Sequence, residues 1–390
     1  MTDHAYLPRA QENAMRLTVL GAGRVGSAIA RDLCQEPDFA VQVVDIDPVR
    51  LADLAPYPVE TTLADLRTSK GVAAAVRGAS LVVCAVPGHM GFETVRNVLL
   101  AGKDVVDISF FPEDAFLLDD LAREQGVIAV VDCGVAPGLC NILAGHVASQ
   151  LDHLQHYDCY VGGLPVVRRW PYEYQAVFSP LDVIEEYTRP ARLVEDGKQI
   201  TRPALSDIEL IDVPSIGTLE AFNSDGLRTL IRTLDCPSMK EKTLRYPGHA
   251  ALMRVLRDGG FFSQEPIAVG DQQIRPVDLT VNLLAQQWSL DDEGDLTIMQ
   301  VTVRGTKDGT SYTYTYGLLD RYDPVSGTTS MARTTGYTCA IVARQIASGM
   351  FRGRGICPPE YIGRVEACYR HLLAGYAERG IALSERIEQA

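Results

Sequence analysis

The feature that most constrains the fold of this 390-residue chain is a glycine-rich turn that joins an apolar strand to a helix. Residues 16–20 (RLTVL) are apolar and partly β-branched, and they lead directly into GAGRVG at 21–26 and then into a helical pattern, SAIARDLCQ. This order of strand, tight turn and helix is typical of the first unit of a dinucleotide-binding fold. The sequence therefore predicts a nucleotide-binding domain near the N-terminus.

Each glycine of the turn has a separate purpose in such a fold. Gly21 makes the tight turn, Gly23 lets a pyrophosphate approach the backbone, and Gly26 lets the helix pack closely against the strand. The backbone N–H groups at the helix start, including those of Arg24 and Val25, are then expected to hold the phosphate charge.

A glycine motif alone is a weak signal, and an acidic residue further along strengthens it. The next apolar run, 40–44, ends in Asp45, which lies 19 residues beyond Gly26, where the motif expects an acid. A carboxylate there accepts hydrogen bonds from the adenosine ribose and repels a 2′-phosphate. Asp45, with the adjoining Ile46, therefore predicts NAD rather than NADP as the cofactor. Arg50, which could in principle hold a phosphate instead, is predicted further on, in a helix.

Strands and helices continue to alternate as far as residue 131. We predict strands at 59–62, 80–86, 104–108 and 127–131, with helices at 69–77, 91–101 and 113–125. This alternation predicts an α/β Rossmann fold with a doubly wound parallel sheet, whose ligand lies beyond the carboxyl ends of the strands. Five further side chains are expected to border the cofactor there, namely Asp65, Val86, Pro87, His89 and Ser109.

Two residues near the end of this domain could take part in chemistry. Asp107 ends the fifth predicted strand, near the expected position of a nicotinamide ring. Its carboxylate could orient a substrate amine, or it could equally cap the following turn. Cys133 follows the sixth strand, and because nothing beside it would activate a thiolate, it is expected to be an inert thiol.

The pattern changes beyond about residue 155 to strand-like runs separated by Gly/Pro turns. Such runs occupy 157–161, 193–194 and 296–304, tyrosines alternate from 312 to 316, and helices are predicted at 224–234 and 250–258. This mixture predicts an α+β domain with a mostly antiparallel sheet. It would contact the substrate and could form a dimer interface.

Composition and charge restrict the partners of the chain. Hydrophobic residues make up 46% and charged residues 22%, which is typical of a globular protein. The net charge of −14 and the lack of a basic cluster argue against nucleic acid. The nine cysteines have no metal-ligand spacing, so we expect reduced thiols and no metal. Without a membrane-length apolar run or a signal-peptide core, we expect a cytoplasmic protein with no membrane contact.

Seven sequence blocks along nearly the whole chain are distinctive: VLGAGRVG (19–26), VDCGVAPGL (131–139), YVGGLP (160–165), FSPLDVIEEYTRPA (178–191), EAFNSDGLRTL (220–230), MKEKTLRYPGH (239–249) and SMARTTGYTCAIVA (330–343). Together they resemble the saccharopine dehydrogenase-like family and, within it, the lysine 6-dehydrogenases. The block at 239–249 is closest to the lysine-oxidising form.

The resemblance implies an NAD-dependent enzyme that oxidises a carbon bearing an amine to an imine. For L-lysine, the favoured substrate, oxidation at the ε-carbon gives allysine, which cyclises to 1-piperideine-6-carboxylate, with ammonia and NADH. A saccharopine-type or polyamine-type secondary amine is the alternative within this class. A catalytically inactive NAD-sensing protein is the alternative outside it. A homodimer is also expected.

The resemblance further implies that the C-terminal part returns to the nucleotide-binding domain. The predicted division is a tail at 1–14, a Rossmann domain at 15–133 completed by 327–390, and a substrate and dimerisation domain at 134–326.

Oxidation of an amino acid needs a cation for the carboxylate and a group that accepts a proton. Arg245 is the candidate for the carboxylate, because a guanidinium binds it bidentately. His249 is the candidate base, since a histidine has an unperturbed pKa near ~6.5, although it could equally be a turn residue. Tyr246 could position the same substrate atoms.

Two further parts of the sequence offer acidic or basic side chains. Glu185 and Glu186 are adjacent and cannot face the same way, so we expect Glu185 to reach the cleft and Glu186 to be solvated or paired with a nearby arginine. Lys240 and Lys242 are the alternative bases if they are buried, although lysines in a loop are usually solvated.

Overall fold

The computed structural model describes residues 14–176, 179–289 and 294–389, and it divides into two units. Within the described residues, the first unit comprises 14–134 and Thr335–Pro359, and the second comprises Val135–Thr334 and 360–389. The predicted tail at 1–14 lies outside the described residues except for its last position. No helix in the described ranges is long and apolar enough to cross a membrane.

The first unit begins with strands and helices that alternate, as the sequence predicts. In chain order its elements are β1 Met15–Leu20, α1 Arg24–Leu33, β2 Phe39–Asp45, α2 Pro48–Ala52, β3 Val59–Leu63, α3 Ser69–Ala75, β4 Leu81–Cys84, α4 Gly88–Leu100, β5 Asp104–Asp107, a 3-10 helix Ala115–Leu118, α5 Asp119–Gln125 and β6 Ile128–Val130. The central strands are short runs of valine, leucine and isoleucine that are almost wholly buried, as expected for a parallel sheet covered on both faces.

The strands of this sheet are all parallel and lie in the order β3-β2-β1-β4-β5-β6. The order reverses between β1 and β4, which is the topological switch point where ligands bind in such sheets. The predicted α/β Rossmann fold is thus confirmed. β4 ends at Cys84 rather than at the predicted Val86, because the chain there already turns toward the start of α4.

The second unit is built around a nine-stranded sheet. Its elements up to residue 321 are α6 Leu139–Gln150, β7 His153–Pro165, α7 Pro180–Thr188, β8 Ala191–Glu195, β9 Lys198–Arg202, β10 Glu209–Val213, β11 Gly217–Asn223, α8 Leu230–Thr233, β12 Met239–Arg245, α9 His249–Asp258, β13 Ile267–Val269, β14 Gln272–Ile274, α10 Pro276–Gln287, β15 Asp295–Lys307 and β16 Thr310–Arg321. The helix predicted at 224–234 is reduced to the single turn α8.

Most strand pairs in the large sheet are antiparallel, as predicted. The main path is β10-β11-β12-β7-β15-β16, and β8 with β9 extends from β12. β7 pairs in parallel with β12 and antiparallel with β15. The predicted α+β character of this domain is therefore confirmed.

The C-terminal part differs from the predicted division. Its elements are α11 Ser330–Ala347, β17 Gly355–Ile356, α12 Pro359–Gly363, α13 Glu366–Glu378 and β18 Leu383–Gln389. β17 joins the parallel sheet beside β6, whereas β18 pairs antiparallel with β16 along seven residues. The segment that completes the first unit is therefore 335–359, not 327–390, because β18 hydrogen-bonds to the edge of the antiparallel sheet.

We predict that Gly26→Ala destabilises the first unit. A Cβ at Gly26 would clash with the backbone carbonyl of Gly21, and overpacking of this kind costs typically about 1–3 kcal/mol. The matched control is Gly78→Ala, whose new methyl would make only ordinary contacts with the Arg16 side chain, 3.5 Å away at the nearest. Urea denaturation measures both variants, and equal free energies of unfolding would contradict the prediction.

Candidate active site

The glycine turn has the geometry that a bound diphosphate requires. Gly21 has a φ of +105°, and a Cβ there would lie 2.5 Å from the carbonyl oxygen of Ala85, so only glycine fits the turn. A Cβ at Gly26 would strike the Gly21 carbonyl, which shows how closely α1 packs. At Gly23 the nearest atom to a built Cβ is Arg50 Nη1 at 4.0 Å. The backbone is thus open to a ligand at Gly23 and closely packed at the other two glycines.

Asp45 is fixed opposite this turn, at the carboxyl end of β2. Its Oδ2 accepts a hydrogen bond from Ala22 N at 2.6 Å, and its Oδ1 accepts one from Asp47 N at 2.8 Å. The side chain is 8% exposed, while the neighbouring Ile46 is 53% exposed. Asp45 therefore holds the glycine turn in place and is itself oriented by it, whereas the Ile46 side chain is exposed beside it.

Arg50 lies on α2, as predicted, but its guanidinium is closer to the glycine turn than the sequence suggests. Its Nε is 3.3 Å from Asp47 Oδ2, and its Nη1 points toward Gly23. A carboxylate and a guanidinium thus both lie beside the turn. Asp45 and Arg50 would have opposite effects on a nucleotide that carries a 2′-phosphate.

Three other predicted cofactor residues lie at the same edge of the parallel sheet, past the ends of β3 and β4. Asp65 forms a bidentate pair with Arg67 at 2.9 and 2.7 Å, and these hydrogen bonds lower the pKa of Asp65 to about 2. Val86 is buried, and Pro87, which precedes α4, is exposed. Asp65 is therefore ionised but already engaged by a neighbouring cation.

Asp107 and Ser109 form a hydrogen-bonded pair at the end of β5. Ser109 Oγ donates to Asp107 Oδ1 at 2.6 Å, and Ser109 N donates to Oδ2 at 3.2 Å. Burial raises the pKa of Asp107 to about 7, although the hydrogen bonds from Ser109 oppose the shift. Asp107 thus caps its own turn, and burial gives its carboxyl a higher pKa than an exposed carboxyl has.

Gly91 on α4 is a residue that sequence reasoning missed. A Cβ at this position would clash with Ser109 Oγ. Gly91 is therefore needed for Ser109 to hold the Asp107 carboxyl. A glycine at the first position of a predicted helix is the only signal in the sequence, because its contact lies on another element.

Three buried thiols surround Asp107 in the first unit. Burial raises the pKa of Cys84, Cys133 and Cys339, and the negative charge of Asp107 raises each of them further. Cys133 is fully buried. These thiols remain protonated at neutral pH, which agrees with the expectation that Cys133 is not a nucleophile.

In the second unit, Arg245 at the end of β12 is buried against an acidic residue of α7. Its Nη2 lies 2.6 Å from Glu186 Oε2, and its Nη1 donates to the Leu244 carbonyl at 2.9 Å. The guanidinium also lies 4.6 Å from the centre of the Tyr174 ring, a cation–π contact. Burial raises the pKa of Glu186, and Arg245 opposes that shift.

The expectation that Glu185 reaches the cleft is wrong. Glu185 makes a looser pair with Arg189, one helical turn further along α7, at 3.4 Å, and it is 31% exposed. Glu186 is the residue that meets the buried arginine. The two carboxylates do face different ways, as predicted, but the packing of α7 turns Glu186 inward.

His249, the first residue of α9, lies in the same buried group as Arg245. Its Nδ1 is 2.9 Å from the Tyr172 carbonyl oxygen, and its Nε2 is 2.9 Å from Tyr187 Oη. The carbonyl can only accept, so Nδ1 carries the proton and Nε2 accepts from the tyrosine. Burial, with the charge of Arg245, lowers the pKa of His249 to about 3. The expected value near neutrality is therefore wrong, and His249 is a neutral hydrogen-bonding residue.

Tyr246 does not share this environment. Its hydroxyl donates to the Pro165 carbonyl at 2.9 Å, and its ring lies 4.5 Å from the guanidinium carbon of Arg168. Tyr246 follows the end of β12, and these contacts are with Pro165 and Arg168 rather than with the residues around Arg245. The expectation that Tyr246 positions the same substrate atoms as His249 is wrong.

The two lysines considered as alternative bases are both paired with acidic groups. Lys242 Nζ is 2.9 Å from Glu209 Oε1, and Lys240 Nζ is 3.9 Å from Asp158 Oδ1. Burial tends to lower the pKa of Lys240, but Tyr160 and the nearby carboxylates outweigh it and raise the value. Lys240 is therefore held in its charged form and is not a base.

Several polar atoms around Arg245 have no hydrogen-bond partner among the described residues. They are Arg245 Nε, Tyr174 Oη, Gln175 Oε1 and Trp288 Nε1, all buried. The ring centroids of Tyr174 and Trp288 lie 5.1 Å apart. We define the aromatic–arginine group as Arg245, Glu186, Tyr174, Tyr187, His249 and Trp288. Buried unpartnered donors are costly unless a ligand or water satisfies them, so this group has the chemistry of a site for an anionic substrate group.

Comparison with protein families identifies both halves of the chain. The family described as the saccharopine dehydrogenase NADP binding domain matches residues 17–130. The family described as the saccharopine dehydrogenase C-terminal domain matches residues 134–381.

Individual relatives are distant but span most of the chain. The NADP(+)-dependent, L-glutamate-forming saccharopine dehydrogenase of Saccharomyces cerevisiae is 22% identical over 415 residues, covering 87% of this chain and 93% of that protein. Its counterpart from Pyricularia oryzae is 21% identical, covering 76% and 82%. The solved apo structure of the Saccharomyces cerevisiae enzyme aligns with a TM-score of 0.78 and 18% identity, covering 96% of this chain and 100% of that one. The fold is therefore shared.

We predict that Glu186→Gln destabilises the second unit and that Glu185→Gln does not. Removing one charge of a buried pair leaves Arg245 uncompensated, at a cost of about 3 kcal/mol. The pair of Glu185 with Arg189 is longer and more exposed, so its loss costs at most about 1 kcal/mol. Denaturant titration gives the free energy of unfolding of the two variants. A Glu186→Gln protein as stable as Glu185→Gln would contradict the prediction that Glu186 is the carboxylate that compensates Arg245.

Proposed function

The chain belongs to the saccharopine dehydrogenase family of oxidoreductases, and we propose that it oxidises L-lysine at the ε-carbon with NAD. The oxidation gives an imine, which water hydrolyses to ammonia and allysine, in equilibrium with 1-piperideine-6-carboxylate, while NAD is reduced to NADH. The sequence block at 239–249, which supplies Arg245 and His249, is the part of the chain that most favours the lysine-oxidising branch.

The observation that carries this proposal is the charge balance of three arginines of the second unit. Arg245 is paired with Glu186, Arg189 with Glu185, and Arg192 Nε with Asp225 Oδ1 at 2.8 Å. Each of these three guanidinium groups thus already has its own carboxylate. Lysine brings one carboxylate and two amines, whereas saccharopine joins lysine to a dicarboxylic acid and brings three carboxylates. A balanced set of arginines suits the substrate with the fewer negative charges.

Within this proposal Arg245 binds the α-carboxylate of lysine. Its Nε is the buried donor left over after Glu186 and the Leu244 carbonyl are satisfied. His249 and Tyr187, hydrogen-bonded to each other, fix the wall beside it. These are positioning contacts, because a histidine with so low a pKa does not accept a proton at neutral pH.

The first unit supplies the groups that fit a dinucleotide. The residues proposed to hold it are Gly21, Gly23, Arg24, Val25 and Gly26 at the diphosphate, Asp45 and Ile46 at the adenosine ribose, and Asp65, Val86, Pro87 and Ser109 along the strand ends. Bound NAD supplies the hydride acceptor. Asp107, with its pKa near 7, is proposed as the proton-accepting group of this unit.

A saccharopine-type secondary amine is the second candidate substrate. The names of the curated relatives favour it, and both specify NADP(+). Arg50 beside the glycine turn is the feature of this chain that would suit the extra phosphate.

A direct assay separates these candidates. With purified full-length chain and NAD, we expect L-lysine to produce NADH and ammonia in equal amounts, with a kcat/KM at least ~10-fold above that for saccharopine. NADH formation from saccharopine alone, or oxidation of a reduced cofactor only when lysine and a dicarboxylic keto acid are both present, would favour the second candidate. Cofactor binding without turnover of any amine would favour an inactive NAD-sensing protein.

We predict that Asp45→Ala weakens NAD binding by roughly 10-fold or more, as expected for the loss of charge-assisted hydrogen bonds. NADP binding should fall less, because the variant no longer repels a 2′-phosphate. Glu60→Ala is the matched control, since Glu60 is an exposed carboxylate on the neighbouring strand β3, paired with Arg16. Titration calorimetry gives both dissociation constants, and an unchanged NAD affinity in a folded Asp45→Ala protein would show that the ribose is bound elsewhere.

A further inference from the structure

A second group of chemically versatile side chains lies in the second unit and takes no part in the proposed reaction. Cys159 on β7 and Glu241 on β12 are directly opposite each other in the parallel pairing of these strands, so their side chains share one face of the sheet. Tyr157, two residues before Cys159, shares that face. Cys140 comes from the first turn of α6. We call these four residues the thiol–carboxylate group.

The reactive atoms of this group lie within coordination reach of one another. Cys140 Sγ, Cys159 Sγ and a carboxylate oxygen of Glu241 all lie within 4.8 Å of each other. A tetrahedral zinc with bond lengths near 2.0–2.3 Å needs its ligand atoms about 3.5–3.8 Å apart. Small side-chain rotations therefore bring the three atoms to the required spacing.

Burial makes this group unusual. Cys140, Cys159 and Tyr157 are 0% exposed and Glu241 is 3% exposed. The Tyr157 hydroxyl has no hydrogen-bond partner of normal geometry within the described ranges. A fully buried hydroxyl that faces two thiols and a carboxyl is an independent sign of a missing ligand at this point.

We propose that Cys140, Cys159 and Glu241 bind a zinc ion, with the Tyr157 hydroxyl beside it to complete the tetrahedron. Two sulfurs with one or two oxygens is a donor set that zinc accepts, and a buried position without access for substrate is typical of a structural site. The ion would tie the start of α6 to the centre of the large sheet. Sequence spacing gives no hint of it, because the three ligands are separated by 18 and 81 residues.

The backbone around Glu241 fits a fixed ligand. A Cβ at Gly226 would overlap the Glu241 carboxyl group, so only glycine leaves room for the carboxyl where it stands. Cys159 is held by the hydrogen bonding of β7 between β12 and β15. Both side chains therefore start from strands or turns that need not move when an ion binds.

The test uses the full chain purified under reducing conditions. We expect about one zinc ion per chain by elemental analysis. After removal of zinc by a chelator, Co²⁺ should give the intense near-ultraviolet absorption of thiolate-to-cobalt charge transfer. Added zinc should also raise the thermal unfolding temperature of the stripped protein, because the ion binds the folded state.

Variants identify the ligands. Cys159→Ser should lower zinc affinity by at least ~10-fold and remove most of the charge-transfer absorption. Cys236→Ser is the matched control: Cys236 is another buried thiol of the same unit, its Sγ contacts the Ser238 carbonyl, and a serine keeps a donor there. The control should bind zinc as the original chain does.

Three results would overturn the proposal. The first is a stripped original chain that shows neither charge-transfer absorption with Co²⁺ nor a thermal shift with zinc. The second is a folded Cys159→Ser protein with unchanged affinity. The third is a Cys140–Cys159 disulfide, seen by mass spectrometry as the predominant form of the isolated chain. If Cys159→Ser does not fold, the cobalt spectrum of the original chain decides alone.

Discussion

The structure of the first unit depends on one steric contact, the approach of α1 to the backbone of the glycine turn. Gly26 packs where any side chain would meet the Gly21 carbonyl, and Gly21 itself turns against the Ala85 carbonyl at the end of β4. This contact fixes the start of α1 at the switch point between β1 and β4. The helix start, with its first-turn N–H groups, is thereby presented where the strands end.

Once the turn is fixed, the neighbouring polar groups follow from it. Asp45 bridges the turn and the start of α2 through two backbone N–H groups, so its carboxylate has one orientation. Asp107, at the end of β5, accepts hydrogen bonds from the backbone N–H and the hydroxyl of Ser109. Gly91 leaves room for that hydroxyl, because a Cβ at position 91 would clash with it. Both carboxylates are oriented by main-chain or short side-chain donors before any ligand arrives, which reduces the entropy lost on binding.

The sequence predicts what is determined locally and fails where packing between distant elements decides. The glycine turn, the acid at the end of β2 and the alternation of strands and helices are local patterns, and the Rossmann fold follows from them. The choice between Glu185 and Glu186 is not local, because it depends on which side of α7 meets the buried Arg245. The pairing of β18 with β16 is equally non-local. β18 is mostly exposed and has no alternation of apolar and polar residues from which a strand could be predicted.

The two buried titratable groups proposed from the sequence show the same limit in their chemistry. Burial disfavours the charged form of any group, so it raises the pKa of an acid and lowers that of a base. Burial is the largest cause of both shifts, which bring the pKa of Asp107 to about 7 and that of His249 to about 3, and the charge of Arg245 adds to the second shift. Residue type alone favours the histidine as the base near neutral pH, but burial reverses the order. Of the two groups, the carboxyl at the end of β5 is therefore the one whose pKa lies near neutrality, while the histidine is neutral and hydrogen-bonded through both ring nitrogens.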